Sequence, residues 1–492
     1  MICLGIDIGG TGCKCAAFSQ EGQQLSLAYE EYPLAPGTVD LPPDILIRSV
    51  YRVISQCAAQ LKDPGAIAAV TVASFGESFV AIDAQGQPLE DIRMYFGSGE
   101  GRAFDETVKK MGSDRFMEIC RILPDPSYSL TKMLRTLETA LRPVHKFLFI
   151  AGYVSFCLSG RAATDVSLAC RSLLYDVRRS CWSEELLAAA GIREDQLPEV
   201  VSAGTCLGSV LPDIAAGLGI PAGTKVVMGT HDQSVNALGA GVAQTGDAVD
   251  ASGTCECLTP LFPAIPESRD FLTNNFACVP YLQDRGYVTY AYNISAGSVV
   301  KWCRDALANH LKTEEKSVYD VLNATAPAEP TDLLILPFLQ GMGGTPETDP
   351  SATGLVAGLT TQTRLPDIYR AILEGITFEM RYNLEKLRSG GVAVSRLLAC
   401  GGGARSSLWL RIKADILGCP ILPVRTEETG AMGCAILGFA AVTGEDPLDI
   451  AARFIRLGDA IEPSPAHQAV YDKKYEAYKA LRRIYREEIR RI

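Results

Sequence analysis

Apolar and polar residues alternate in short runs whose spacing changes along the chain. ICLGIDI is apolar almost throughout, breaks at two glycines, and gives way to KCAAFSQEGQQLSLAYEEY, where alternating residues flank the turn signal SQEG. These runs predict a strand, a glycine turn and a β-meander. The spacing becomes helical in PPDILIRSVYRVISQCAAQL and returns to strands in AIAAVTVASF and SFVAIDAQGQPL. Residues 226–241, VVMGTHDQSVNALGAG, predict a strand ending near Gly229 and a helix starting around Gln233. Further on, GLVAGLTTQTRLPDIYRAILEGITFEMRYNLEKL predicts a long helix from near Pro366, with Ile368, Ile372, Ile376 and Met380 on its core face. RLLACGGGARSSLWLRIKADILGCPI predicts a strand, a three-glycine turn at 401–403, and a helix with Leu408, Ile412 and Ile416 on its apolar face. The last segment, YDKKYEAYKALRRIYREEIRRI, predicts a basic amphipathic helix with a solvated face. The mixture is that of an α/β fold.

One short pattern occurs twice. DIGGT at residues 7–11 returns as DASGT at residues 250–254, near the midpoint of the 492 residues, each after an apolar or small-residue run and before another β-like stretch. Two related halves would set two glycine turns face to face across a cleft, able to hold the phosphate tail of a nucleotide from both sides. The boundary between them is expected near Gly246. A chain of this length is expected to form two large lobes.

Composition narrows the classes. Hydrophobic residues make up 47% and charged residues 21%, as in packed globular proteins. A net charge of −11 leaves no basic face for nucleic acid, so an anionic ligand must be held locally. No uncharged apolar run reaches the ~20 residues of a membrane span, and Asp7 interrupts the first apolar stretch before it could act as a secretion signal. The expected location is cytoplasmic, with no membrane or nucleic-acid partner. The sixteen cysteines lie mostly singly, many in apolar runs, and the close pairs Cys13/Cys15 and Cys255/Cys257 lack the spacing of zinc or redox sites. They are expected to be buried free thiols.

Asp232 falls at a strand-to-helix junction, where ligands often meet α/β folds and where an aspartate can also cap the helix. The GAG at 239–241 is no dinucleotide fingerprint, because Gln244 stands at the third glycine position and no strand immediately precedes it. Lys14 does not complete a Walker loop either. Glycines 401–403 leave backbone uncovered before a helix, where a flat or anionic ligand can approach closely.

Together these stretches resemble the FGGY family of carbohydrate kinases, within the actin-like ATPase superfamily. GIDIGGTGCK resembles the family's first phosphate motif, GTHDQ its catalytic motif, DASGT its second phosphate motif, and GGGARSSLW its adenosine motif. GLVAGLTTQTRLPDIYRAILE fits its C-terminal signature. The resemblance implies two actin-like (ribonuclease H-like) lobes, residues 1–246 and 247–492, with a nucleotide cleft between them, and transfer of a phosphoryl group from ATP with Mg²⁺ to a sugar or polyol. It implies Asp7 orienting Mg²⁺ through water, with Gly10, Thr11 and Lys14 at the phosphates. Gly253 and Thr254 would close from the other lobe, and Gly297, Gly402, Gly403 and Ser407 would line the nucleotide pocket. Asp232 would be the general base and Gln233 a sugar contact. Phosphoryl transfer needs positioning and charge neutralisation more than covalent help, and a carboxylate suffices as base.

The sugar segment departs from familiar members. SFGES places Glu77 where glycerol kinases carry an Arg–Glu pair, with Gly76 in the arginine position, and the GQMHG of xylulose kinases is absent. RMYFGSGEGRAFDE offers Glu100 and Arg102 as equivalents of the family's WNDxR residues, and Arg135 follows DPSYSLTKML where tryptophan is usual. A ketose such as xylulose is the expected substrate, with a homodimer common in the family. The competing readings are an actin-like ATPase coupled to a protein partner and a nucleotide-binding protein whose sugar site has decayed.

Overall fold

The computed structural model describes all residues except 36, 96–100, 283–284, 314, 427 and 490–492. Strands and helices that position the cleft are numbered here in chain order. Ile2–Ile8 (β1) is buried at every position except the partly open Asp7. It pairs antiparallel with Gly12–Ser19 (β2), setting Asp7 opposite Lys14, and β2 pairs in turn with Gln24–Glu31 (β3). The predicted SQEG turn joins them. Beyond Pro43–Ala59 (α1), Ile67–Ser74 (β4) lies parallel to β1, and Lys225–His231 (β5) lies parallel to β4. The order is β3–β2–β1–β4–β5, with Cys206–Ser209 at the outer edge of β5.

The second half repeats this plan. Asp247–Ser252 (β6) pairs antiparallel with Glu256–Phe262 (β7), which pairs with Ala291–Asn293 (β8). After the helix Leu365–Ser389 (α3), Arg396–Cys400 (β9) lies parallel to β6; after Ser407–Leu417 (α4), Ile421–Pro423 (β10) lies parallel to β9. The order β8–β7–β6–β9–β10 matches that of the first sheet, so the five-residue repeat marks the same hairpin in both lobes. In each, the residues of DxxGT end a central strand and turn into its antiparallel neighbour.

Each sheet then feeds a helix, Asp232–Ala240 (α2) after β5 and Thr429–Thr443 (α5) after β10. These two helices cross by way of glycines. A Cβ on Gly239 would sit 1.8 Å from the Thr429 carbonyl oxygen, and one on Gly433 would sit 2.1 Å from that of Val235. Helix α5 also lies on β1, where a Cβ on Gly5 would meet the Ala431 carbonyl oxygen at 2.0 Å. Side-chain-free contacts of this kind let backbones approach closely, and α5 joins the apolar core of the first lobe through Ala431, Cys434, Ile436 and Phe439.

The long helix begins one residue before Pro366 and buries Ile372, Ile376 and Met380 as expected. The final helix, Pro465–Glu487 (α6), has two characters. Lys473, Arg483 and Arg486 face solvent, but the expected basic face is only partly solvated, because Lys474 and the buried Arg482 pair with Glu374 and Glu379 of α3. Tyr471, Tyr475, Tyr478 and Tyr485 are buried as well, Phe378 of α3 packing against the first three. The phenol of Tyr478 donates to Glu379 at 2.6 Å and that of Tyr475 to Glu385 at 3.0 Å, so the rings are buried with their polar ends satisfied. No helix among the described residues is long and apolar enough to cross a membrane. The cysteines are free thiols, and most are buried; Cys181, Cys206 and Cys255 are exposed.

Candidate active site

The first glycine turn is a closed loop. The Gly9 amide donates to the Gly12 carbonyl at 2.9 Å, and the Tyr32 hydroxyl donates to the Gly9 carbonyl at 3.1 Å. Gly10 lies beneath Tyr95, and Thr11 is exposed at the tip. At the base of the loop the Asp7 carboxyl makes no hydrogen bond or ion pair with a described residue. The first turn of α5 presses on it, since a Cβ on Gly430 would be 2.5 Å from Asp7 Oδ2. Burial, reinforced by Asp232 and Glu428 and opposed by Lys14, pushes the Asp7 carboxyl up to about 7. A cation brought beside it would favour its ionised form. Lys14 itself pairs with Glu428 at 2.9 Å. Among the described residues no cluster of three or more His, Cys, Asp or Glu could hold a metal ion by itself. The donor set therefore fits an ion carried in by a nucleotide's phosphates and its own waters, the usual state of Mg²⁺.

Asp232 lies at the junction where it was expected, with a different local role. Strand β5 continues to His231, α2 begins at Asp232, and the cap is His231, whose Nδ1 accepts from the Gln233 amide at 3.2 Å. That nitrogen also lies 2.9 Å from Asp232 Oδ1. It cannot accept from Gln233 and donate to Asp232 in the same tautomer, and with the cap made, the buried Asp232 Oδ1 is left without a donor. The carboxylate is thus not consumed as a helix cap. Beside it, Gln233 Oε1 is also buried without a partner. Two adjacent unsatisfied acceptors suit a ligand that brings hydroxyl donors.

The second turn is braced differently. Gly253 donates to the Cys255 carbonyl at 2.9 Å, Ser298 donates to the Thr254 carbonyl at 3.0 Å, and a Cβ on Gly297 would stand 2.0 Å from the Gly253 carbonyl oxygen. Gly253, Thr254, Gly297, Gly402 and Gly403 line one cavity of about 880 Å³. Ser407 is not part of that lining; its neighbour Ser406 is, capping α4 through Trp409 and donating to Asn323 Oδ1 at 2.9 Å. We expect Gly297→Ala to raise the KM for nucleotide about tenfold by displacing this loop. An unchanged KM in an ATP titration would refute the contact's role.

Asp250 occupies the position in the second motif that Asp7 holds in the first, but it is neutralised. Lys413 of α4, fully buried, places its ammonium 2.6 Å from Asp250 Oδ2, 2.5 Å from Ser252 Oγ and 2.6 Å from Glu256 Oε1. The approach to Glu256 is less well aligned than those to Asp250 and Ser252. Burial lifts the Glu256 carboxyl to about 8, with Lys413 opposing. A folded-state value above the unfolded one means that the protein loses stability as pH climbs from the ordinary glutamate range through about 8. The melting temperature of Glu256→Gln relative to wild type should therefore rise between pH 6 and pH 9; a constant difference would contradict the burial of an ionisable Glu256.

Of the candidate sugar residues, Glu77 is buried, with a left-handed backbone (φ 63°), and pairs with Arg171. Arg102 lies on the surface, its side chain 93% exposed and paired with Glu106 on its own helix. Glu100 lies outside the described residues. Reading by short motifs missed Arg171, His231, Tyr290, Asn323, Ser406, Glu428 and the Lys413 cluster. For Arg171, Tyr290, Asn323, Glu428 and Lys413 the partners are distant in sequence, while His231 and Ser406 cap their helices locally and a histidine cap is not an expected pattern.

Residues 2–239 match the N-terminal domain of the FGGY family of carbohydrate kinases, and residues 252–442 match its C-terminal domain. The chain belongs to this family. It is an enzyme, a phosphotransferase with an alcohol group as acceptor. Among curated relatives, it is 27% identical to a xylulose kinase of Bacillus subtilis (strain 168) over 97% of this chain and 95% of that one. It is 29% identical to an L-fuculokinase of Salmonella typhi over 80% of each chain. The fold matches the ligand-bound xylulose kinase of Lactobacillus acidophilus with a TM-score of 0.87 at 21% identity, over 99% of both chains.

Proposed function

We propose that the protein transfers the γ-phosphate of ATP to a hydroxyl of a ketose or polyol, with Asp232 as general base and a xylulose-like sugar as the first substrate to try. The observation that carries this reading is the Asp232 carboxylate, not used as a helix cap, beside Gln233 at the end of β5, which β4 alone separates from the strand that carries Asp7. Kinases of this family use ATP, and the named relatives act on xylulose and fuculose. In this reading residues 1–246 carry the sugar site and the first loop, while residues 247–492 carry the second loop and the nucleoside cavity.

Asp232 accepts the proton of the attacking hydroxyl, and Gln233 and Glu77 orient the sugar. Gly10, Thr11, Gly253 and Thr254 offer backbone and hydroxyl donors to the phosphates, and Lys14 exchanges Glu428 for phosphate oxygen. Gly297, Gly402, Gly403 and Ser406 enclose the nucleoside. Mg²⁺ entering with ATP would neutralise phosphate charge, with Asp7 orienting it through water. The test is ADP release with Mg-ATP across pentuloses, hexuloses, polyols and sugar acids. Release stimulated by one sugar supports the proposal, and a slow rate indifferent to sugar favours a partner-coupled ATPase or a decayed sugar site.

A further inference from the structure

His231 is buried and held on three sides. Its amide donates to the Ser167 hydroxyl at 2.8 Å, and its ring stacks on Tyr290 with centroids 4.6 Å apart. Its Cδ2–Nε2 edge meets Gly76, where a Cβ would stand 2.7 Å from Cδ2 and 2.9 Å from Nε2. The Tyr290 hydroxyl bonds in turn to Ser234 of α2 at 2.8 Å, which ties the stacked pair to the Asp232 helix. The ring has little room to turn. Its Nδ1 stays aimed at the first turn of α2, 3.2 Å from the Gln233 amide and 2.9 Å from Asp232 Oδ1.

That placement fixes the state of the ring. Because the Gln233 amide donates to Nδ1, the neutral ring carries its proton on Nε2 and presents an electron-rich nitrogen, not an N–H, to Asp232 Oδ1. An ionised carboxylate facing such a nitrogen with no proton between them gains affinity for a proton. A second proton on His231 reverses the effect: an N–H enters the gap, Asp232 is held in an ion pair, and the Gln233 amide loses its acceptor. The other charged and titratable groups around the ring are committed elsewhere. Arg171, whose Cγ shares the Gly76 contact, pairs with Glu77, and the Tyr290 hydroxyl is bound to Ser234. Asp165, below the junction, accepts from the Ser167 and Leu168 amides and from the Ser167 and Thr230 hydroxyls. Asp232 is left as the group whose charge answers to that of His231.

We infer that His231 is a positioning residue that sets the basicity of Asp232 and turns it off when the ring is protonated. With His231 neutral, the hydroxyl proton passes to the Asp232 carboxylate as the new O–P bond forms and the bond from the γ-phosphorus to ADP breaks. The proton leaves to water afterwards, and His231 keeps its own proton on Nε2 throughout. With His231 protonated, the carboxylate is already engaged and transfer stops. This inference rests on the reading of Asp232 as general base and adds its control by pH.

The experiment follows sugar-dependent ADP release by the full chain with Mg-ATP from pH 5 to pH 9, for wild type, His231→Asn and Asp232→Asn. Melting temperatures are taken for His231→Asn and His231→Ala. Asparagine can cap α2 through its side-chain oxygen but takes up no proton in this range. It is expected to restore the melting temperature that alanine loses. It should lower plateau kcat about tenfold, change the KM for ATP less than about twofold, and move the acid limb of kcat down by about one pH unit or more. A cap without influence on Asp232 would leave that limb in place. An unmoved limb in His231→Asn, with Asp232→Asn inactive, overturns the inference and leaves Asp232 as base; an active Asp232→Asn overturns both. Nitrogen NMR of histidine-labelled wild type reads the same point without a variant. Of the four histidines, His231 should show the Nε2–H form at pH 8 and titrate together with the acid limb. The Nδ1–H form, or titration apart from that limb, contradicts the inference.

Discussion

Asp232→Asn is expected to lower sugar-dependent turnover by about 10²–10⁴-fold while ATP still binds, the span usual for removal of a positioned general base. The substitution is close to isosteric, and the residue sits at the first position of α2 with its Oδ1 unpartnered, so the fold has little reason to change. What is removed is the acceptor for the hydroxyl proton. The amide that replaces it cannot take a proton at neutral pH. The loss should fall on kcat rather than on the KM for ATP, because the nucleoside cavity is built from Gly253, Thr254, Gly297, Gly402 and Gly403 and does not include Asp232. Near-normal turnover in steady-state assays would remove Asp232 from the role.

Lys413→Met should cost about 3–5 kcal/mol of stability, the range seen when one partner of a buried ion pair is deleted. The ammonium is the shared counter-ion of Asp250 and Glu256, which are both fully buried, and it also holds Ser252 at the foot of the second glycine turn. Without it the buried Asp250 carboxylate loses its counter-ion beside Glu256, whose carboxyl burial already holds up at about 8. The measurement is chemical unfolding followed by tryptophan fluorescence. Trp409 lies on the same helix, 4.6 Å from the Lys413 ammonium at its ring centroid, and reports on this lobe. A loss under about 1 kcal/mol would show that the carboxylates protonate or admit water at little cost.

Strands, glycine turns and long helices were legible because they are local. The alternation around β1 to β3, the spacing in α1 and α3, and the repeated DxxGT each fit inside a short window. The junction at Asp232 was legible to within three residues. Its cap was misassigned because histidine is not a usual N-cap residue and its ring nitrogen does the work of the expected aspartate oxygen. Asp7 and Asp250 looked equivalent in sequence, and only the arrival of Lys413, 163 residues beyond Asp250, separates an open carboxylate from a neutralised one. Arg171 was illegible for the same reason: its meaning comes from Glu77, Gly76 and two tyrosines that the fold gathers from three other segments. The apolar face of the last helix was hidden by its tyrosines, which read as polar until their hydroxyls find Glu379 and Glu385.

The central claim is that a hydroxyl attacks the γ-phosphate of ATP with Asp232 as its base. The most direct measurement is ³¹P NMR of the reaction with Mg-ATP and the sugar that best stimulates ADP release, for wild type and Asp232→Asn side by side. The account predicts one sugar phosphate ester formed for each ADP by wild type and almost none by the variant. Inorganic phosphate in place of the ester, or ester formed equally well by the variant, would contradict it.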